Sequence, residues 1–295
     1  MARTLYVRMV MKKWILAIAA GIMLTGCEKV VFEDREGEST NGNLTISVSV
    51  DNGTTRSSDE PLSDACGRLN VAVFNNAGEK VKTVAQAVGD AGYGVVRLSL
   101  PDGSYTVVVI GHNSTGSATI TNTEKVTFPN NKTTDTFCFS GEIDVTGEEQ
   151  QMDIRLERVV SMIRFVLDDN GDDMGIASLK FYYTGGSSTL SPKTGYGCVN
   201  SKQTEYRAWN EEGIYELYTM PHSKSDVITK MTITAYDAGD NVVGEWVLEN
   251  IPITVNRVTE YVGDLFGGGE GGGTWSMTGN ITVDTEWGGV DEYRF

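Results

Sequence analysis

The chain has 295 residues, 40 of them acidic against 24 basic, and a net charge of −16 with its histidines neutral. That balance excludes nucleic acid as a partner, because neutralising phosphates needs clustered Lys and Arg, and it excludes adhesion to an anionic membrane by charge alone. Glycines number 34 against 6 prolines, and Thr, Ser, Val and Asn are abundant, which favours strands joined by tight turns; the length suits two domains.

The first recognisable stretch is a leader. Lys12 and Lys13 precede the apolar run Ile15–Leu24, which closes on Leu24-Thr25-Gly26-Cys27. A basic start, a short apolar segment and small residues at a processing site describe a secretory signal peptide, and the run is too short to span a bilayer as a mature helix. Its last four residues resemble the bacterial lipobox, so residues 1–27 are read as a lipoprotein signal with Cys27 as the acylated mature terminus. Residues 28–43 are polar and patternless, and are read as a flexible tether.

From Leu44 a two-residue period sets in: Leu44, Ile46, Val48 and Val50 alternate with Thr45, Ser47, Ser49 and Asp51, as in a half-buried strand. A polar loop containing Arg56 follows. Strands are then expected at Leu69–Phe74, Lys80–Val88, Val95–Leu100, Tyr105–Ile110, Ser117–Thr127 and Thr133–Ile143, with a hairpin turn at Asn75–Gly78. Val107–Ile110 is apolar on both faces and belongs in the middle of a sheet. Val109→Asp there would bury an unpaired charge, whereas Asn113→Ser lies in a loop and is expected to be nearly silent.

The small, acidic stretch around Thr146–Gln150 is taken as a domain boundary, dividing 44–146 from 147–295. In the second part, Met152–Leu156 runs on through Val159–Leu167 without a clear break. Further strands are expected at Lys180–Tyr183, Ile214–Tyr218, Val227–Tyr236, Val242–Leu248 and Ile251–Leu265, where Pro252 suggests a sheet edge or strand start. Asp237–Asn241 is a turn. A Gly-rich linker, Gly267–Gly273, leads to a final strand at Thr274–Trp287. No long segment carries the helix period. The fold class is therefore all-β, two β-sandwiches in tandem.

Candidate chemistry is sparse. The histidines, His112 and His222, stand in no nucleophile motif, so each is read as a loop or core residue. Asp168–Asp173 offers the oxygen donors that suit calcium, but Ala177 and Ser178 stand where a bidentate Glu would be needed, and the segment is read as a turn. No catalytic residue, metal or cofactor is assigned. Once Cys27 is acylated, Cys66, Cys138 and Cys198 remain; the compartment permits a Cys66–Cys138 bridge and the spacing leaves it open. Trp209, Tyr215, Tyr218, Trp246, Trp275 and Trp287 could form a stacking face for sugars, the alternative reading being a surface glycan-binding lipoprotein, although aromatics in alternating strands are ordinarily core.

Several stretches resemble the Bacteroidales fimbrillin superfamily, of the FimB/Mfa2 type of fimbrial subunit: the lipobox and tether, Leu98–Asn113, Ile154–Phe165, and Ile251–Phe266. The resemblance implies two transthyretin-like (Greek-key) sandwiches held at the outer membrane through acylated Cys27, with a structural and adhesive role in a fimbrium (pilus), no enzymatic activity, and other fimbrial subunits as partners by strand addition. Its adhesion target is not implied. Members that polymerise lose an N-terminal strand after cleavage at Arg or Lys, which makes Arg56 the candidate maturation site here. A cut there would free Leu44–Asp51 and leave a groove, with Thr274–Trp287 as a candidate donor. The same cut would also sever the folded part from Cys27, so the expectation is an uncut, anchored chain with Leu44–Asp51 paired at home.

Overall fold

A computed structural model of the chain describes residues 43–50, 61–167, 175–263, 278–282, 287 and 290–294. All of them belong to one compact unit, Asn41–Phe295. The architecture is the expected all-β one.

The first sandwich has two layers. In one, β1 (Leu44–Val50) lies between β4 (Val95–Leu98) and β9 (Gln150–Arg158). It runs antiparallel to β4 and parallel to β9, in unbroken register from Leu44↔Gln150 to Val50↔Leu156. The other layer is antiparallel, in the order β3 (Lys80–Ala87), β2 (Arg68–Asn75), β5 (Gly103–His112), β8 (Thr136–Val145). At its end β9 crosses over, pairing Glu157 and Arg158 with Cys138 and Phe137 of β8, so the layers form one continuous sheet. Leu44, Ile46, Leu69, Val107, Phe137 and Leu156 meet in the core between them.

The second sandwich packs two more sheets. One has the order β15 (Ile214–Thr219), β10 (Ser161–Leu167), β18 (Val258–Gly263), β20 (Val290–Arg294), β19 (Thr278–Thr282). The other is β14 (Lys202–Ala208), β11 (Ile176–Gly185), β16 (Ser225–Asp237), β17 (Val242–Thr254). Their core is aromatic at its centre, with Phe165 stacked on Phe181 and Tyr261 at centroid distances of 5.4 and 5.5 Å.

A third core cluster explains the doubly apolar run in β5. Val107 and Val109 face the first core, while Val108 and Ile110 face outward into a cluster containing Met162, Leu190, Met220, Val258 and Trp287 of the second half. The halves are also stitched by a small sheet in which β7 (Lys125–Thr127) pairs with β12 (Thr189–Ser191), flanked by β6 (Thr119–Asn122) and β13 (Tyr196–Gly197). Nearby, Lys132 pairs with Glu205 at 2.7 Å and the Ser188 hydroxyl donates to Asn131 Oδ1 at 2.7 Å.

Some elements differ from the sequence reading. The run Met152–Leu167 is broken at Val159-Val160, since β9 ends in the first sandwich and β10 begins the second. Ser117–Thr127 is folded back as the β6–β7 hairpin. Pro252 lies inside β17, which runs on to Thr254 and stands at a sheet edge, where a missing N–H costs no ladder bond. The chain then turns at Asn256, whose φ of 56° an Asn adopts at little cost, to enter β18 as a separate strand. The last strand expected at Thr274–Trp287 is the shorter β19, and β20 follows it. The short helix α1 (Leu62–Ala65) and β12 to β14 lie outside the segments expected from the sequence.

Candidate subunit-interaction site

The site is the cradle that holds β1. Alternation places Leu44 and Ile46 fully inside the first core, and each such side chain contributes about 1.5–3 kcal/mol by leaving water. The entry is clamped by Asn43, whose Nδ2 donates to the Leu100 carbonyl at 2.7 Å while its Oδ1 accepts the Leu100 N–H at 2.9 Å. The Gln150 N–H donates to the Asn43 carbonyl at 2.8 Å. Further along, the Ser49 hydroxyl donates to the Ile154 carbonyl at 3.1 Å and the Val48 N–H to the Gly94 carbonyl at 2.8 Å. Withdrawing β1 would bare the facing edges of β4 and β9 over an apolar trough, a surface that another strand could refill.

The second strand of interest lies at the chain's other end. β19 pairs antiparallel with β20, and β20 pairs parallel with β18. Between them Trp287 is buried, its ring centroid 3.9 Å from the Arg158 guanidinium carbon. That guanidinium also donates from Nε and Nη2 to the two oxygens of Asp135, at 2.8 and 3.1 Å, and from Nη1 to Asn256 Oδ1 at 3.1 Å. Burial pushes the Asp135 carboxyl above the usual range, against the opposing pull of Arg158. One arginine at the end of β9 thus holds the β8 entry, the β17–β18 turn and the C-terminal tryptophan together.

The other candidates are dispersed. His112 is fully buried; its Nε2 donates to Asn70 Oδ1 at 2.9 Å and its Nδ1 accepts the Ser114 N–H at 3.1 Å. Burial lowers its pKa to about 4, aided by nearby Arg68, so it is a neutral structural histidine. His222 contacts Asp226 at 2.6 Å in a different loop. The Cys66–Cys138 bridge is not formed: both thiols are free, and they lie in separate cores on opposite faces of the β2–β5–β8 sheet. Burial pushes Cys66 up to about 11 and Cys138 up to about 12.

The aromatics nominated for sugar stacking do not make a face. Tyr215 and Trp287 are buried, Trp209 and Trp246 pack against the second core, and Tyr218 packs against the cluster between the halves. Cys27, the tether to residue 42, Arg56, Asp168–Asp173, Gly267–Gly273 and Trp275 lie outside the described residues. Among the described residues no group of three or more His, Cys, Asp or Glu side chains could hold a metal ion, and no helix is long and apolar enough to cross a membrane.

Sequence reasoning missed the Asn43–Leu100 clamp and the Arg158 node. The first had no readable signal, being a contact between loop residues 57 positions apart. The second had none either: Arg158 follows Arg155 and Glu157 in a strand of alternating polarity, and nothing in the sequence marks it as the buried one.

A family model, described as fimbrillin-A associated anchor proteins Mfa1 and Mfa2, matches residues 33–293. No curated protein matches the chain. Among solved structures, the chain is similar to a candidate cell adhesion protein from Bacteroides eggerthii, at 14% identity and a TM-score of 0.45, covering 80% of this chain and 92% of that one. It is similar to a fimbrial assembly protein from Parabacteroides distasonis, at 13% identity and a TM-score of 0.41, covering 74% and 89%. The fimbrial anchor protein Mfa2 from Porphyromonas gingivalis is similar at 10% identity and a TM-score of 0.39, covering 69% and 80%.

Proposed function

The chain belongs to the family of fimbrillin-A associated anchor proteins, a structural family of fimbrial subunits at the cell surface, and from that premise we propose that it is a lipid-anchored terminal member that keeps its own first strand. In this reading Cys27 is acylated in the outer membrane, residues 28–42 are the tether, which ends where Asn43 is clamped to Leu100, and Arg56 is left uncut. The protein has no catalysis of its own and joins other fimbrial subunits by strand addition. In this reading the folded part has two domains, and their division lies at Val159-Val160 rather than near residue 146, because β9 pairs within the first sandwich.

The observation that carries the reading is the occupied cradle. A subunit that receives a neighbour's strand between β4 and β9 must first empty that place, and here Leu44–Val50 fills it in full register with β9. At the other end β19 is paired with β20, and with the cradle filled it is the strand that would leave its partner to enter a neighbour's groove.

The test is metabolic labelling with a fatty-acid probe followed by membrane fractionation. Wild-type protein should carry the label and stay with the outer membrane, whereas Cys27→Ala should be unlabelled and soluble. Equal labelling of the two forms would end the lipid-anchor reading.

A further inference from the structure

The buried aromatics leave another face unaccounted for. On β14, β11 and β16, alternation sends Leu179, Phe181, Met231 and Ile233 into the second core and turns the intervening residues outward. Those outward positions include Tyr206, the most exposed of the large hydrophobic residues among the described residues at 64%, and Tyr182 at 37%. Tyr182 pairs with Thr204 and Thr232, and Tyr206 pairs with Lys180. The two tyrosines are therefore diagonal neighbours on adjacent strands, about 7–8 Å apart.

Charge on this face runs against that of the whole chain. Lys180, Lys202 and Lys230 all point outward from the three strands, where between Ser178 and Thr184 of β11 and their partners the remaining outward residues are threonine, tyrosine, serine and alanine, Thr234 among them being buried. Carboxylates of the same face stand on the neighbouring edge strand β17, at Glu245 beside Thr234 and Glu249 beside Lys230. None of the three lysines is in an ion pair among the described residues. In a chain with 40 acidic and 24 basic residues, a face on which three lysines outnumber two carboxylates around two exposed tyrosines requires an explanation that solubility does not supply.

We propose that the outer face of β14, β11 and β16 binds an acidic polysaccharide, with Tyr206 and Tyr182 stacking on sugar rings and Lys180, Lys202 and Lys230 meeting the carboxylates. The surface suits this occupant in three ways. Tyrosine offers an apolar ring with a polar tip, which matches the alternately apolar and hydroxylated faces of a sugar. Thr204 and Thr232 bring hydroxyls to either side of Tyr182. Charge density decides against a duplex, which carries one phosphate per about 1.7 Å of axis, more than three lysines can meet; a sugar polymer with one carboxylate per unit is matched by a few lysines. The face is separate from the β1 cradle, and its occupancy does not depend on whether the chain is anchored.

Calorimetric titration of the full-length protein in detergent with polygalacturonate, neutral dextran and duplex DNA tests the proposal. Polygalacturonate should bind saturably and weaken with salt. The double change Tyr182→Ala, Tyr206→Ala should weaken binding on the order of tenfold with the melting temperature unchanged. The triple change Lys180→Gln, Lys202→Gln, Lys230→Gln should abolish it. If the double variant melts early, Tyr206→Ser alone decides, because that side chain is mostly in solvent. Absence of saturable polygalacturonate binding, equal binding of dextran or DNA, or wild-type affinity in the variants would each overturn the assignment.

Discussion

The Arg158 guanidinium stacks 3.9 Å from the centroid of the Trp287 ring while forming a two-bonded ion pair with Asp135. These residues come from the end of the first sandwich and from the chain's last segment, and the contact fixes β19 and β20 to the body of the molecule.

Removing the guanidinium leaves the Asp135 carboxylate without its partner, with the Arg158 and Asp135 side chains only 8% and 17% exposed. Arg158→Ala should therefore cost about 3–5 kcal/mol. Trp287→Ala should cost a similar amount through lost burial and the lost cation–π contact. Arg158→Lys keeps the charge but loses the forked geometry and the stacking, and it should fall between wild type and Ala. Denaturant unfolding measures all three, and in the Ala variants limited proteolysis should remove the C-terminal strands first.

In the cradle, Ile46→Ala should cost about 2–5 kcal/mol, whereas Ser47→Ala, on the outward side of the same strand, should be within about 0.5 kcal/mol of wild type. Asn113→Ser, expected from the sequence to be nearly silent, should not be. The Asn113 Oδ1 accepts the Gly67 N–H at 2.7 Å and its Nδ2 donates to the Ala65 carbonyl at 3.0 Å, and serine cannot make both bonds. We expect a loss of about 1 kcal/mol, smaller than that of Val109→Asp but measurable by thermal unfolding.

Acid should weaken the protein through His112. Its folded pKa, about 4, lies below the ordinary 6.5, so between those values the unfolded chain binds the extra proton. The stability from neutral His112 is complete above pH 6.5 and falls as pH drops toward 4, by about 3 kcal/mol over the window. His112→Gln, which cannot titrate, should flatten this part of the curve. Guanidinium unfolding at a series of pH values from 4 to 7 reads both slopes.

Much of the fold was legible because burial on one face writes a two-residue period into the chain. Leu44–Val50 was readable for that reason, and Val107–Ile110 was readable as a doubly buried centre. The period is silent about partners, so nothing in Leu44–Val50 announced that it lies parallel to β9 and antiparallel to β4. It also fails where two buried segments abut: Val159 and Val160 continue the apolar run of β9 into β10, and the break comes from a change of sheet. The aromatics show the same limit. Trp209, Trp246 and Trp287 stand out by residue type, yet among the described residues the exposed rings are Tyr182 and Tyr206, and only strand register separates them from the buried Phe181 and Tyr183. Asn43 was legible only as the last residue of a polar tether.

The central claim is that β1 stays in its own cradle and remains joined to an acylated Cys27. It is tested most directly by mass spectrometry of the N-terminal peptide of the protein taken from native outer membranes. The account predicts a terminus at Cys27 carrying acyl chains, with the peptide bond after Arg56 intact. A mature terminus at Ser57 would contradict it, because the chain would then have shed both its lipid and the strand Leu44–Val50 and would be a polymerising subunit with an open groove.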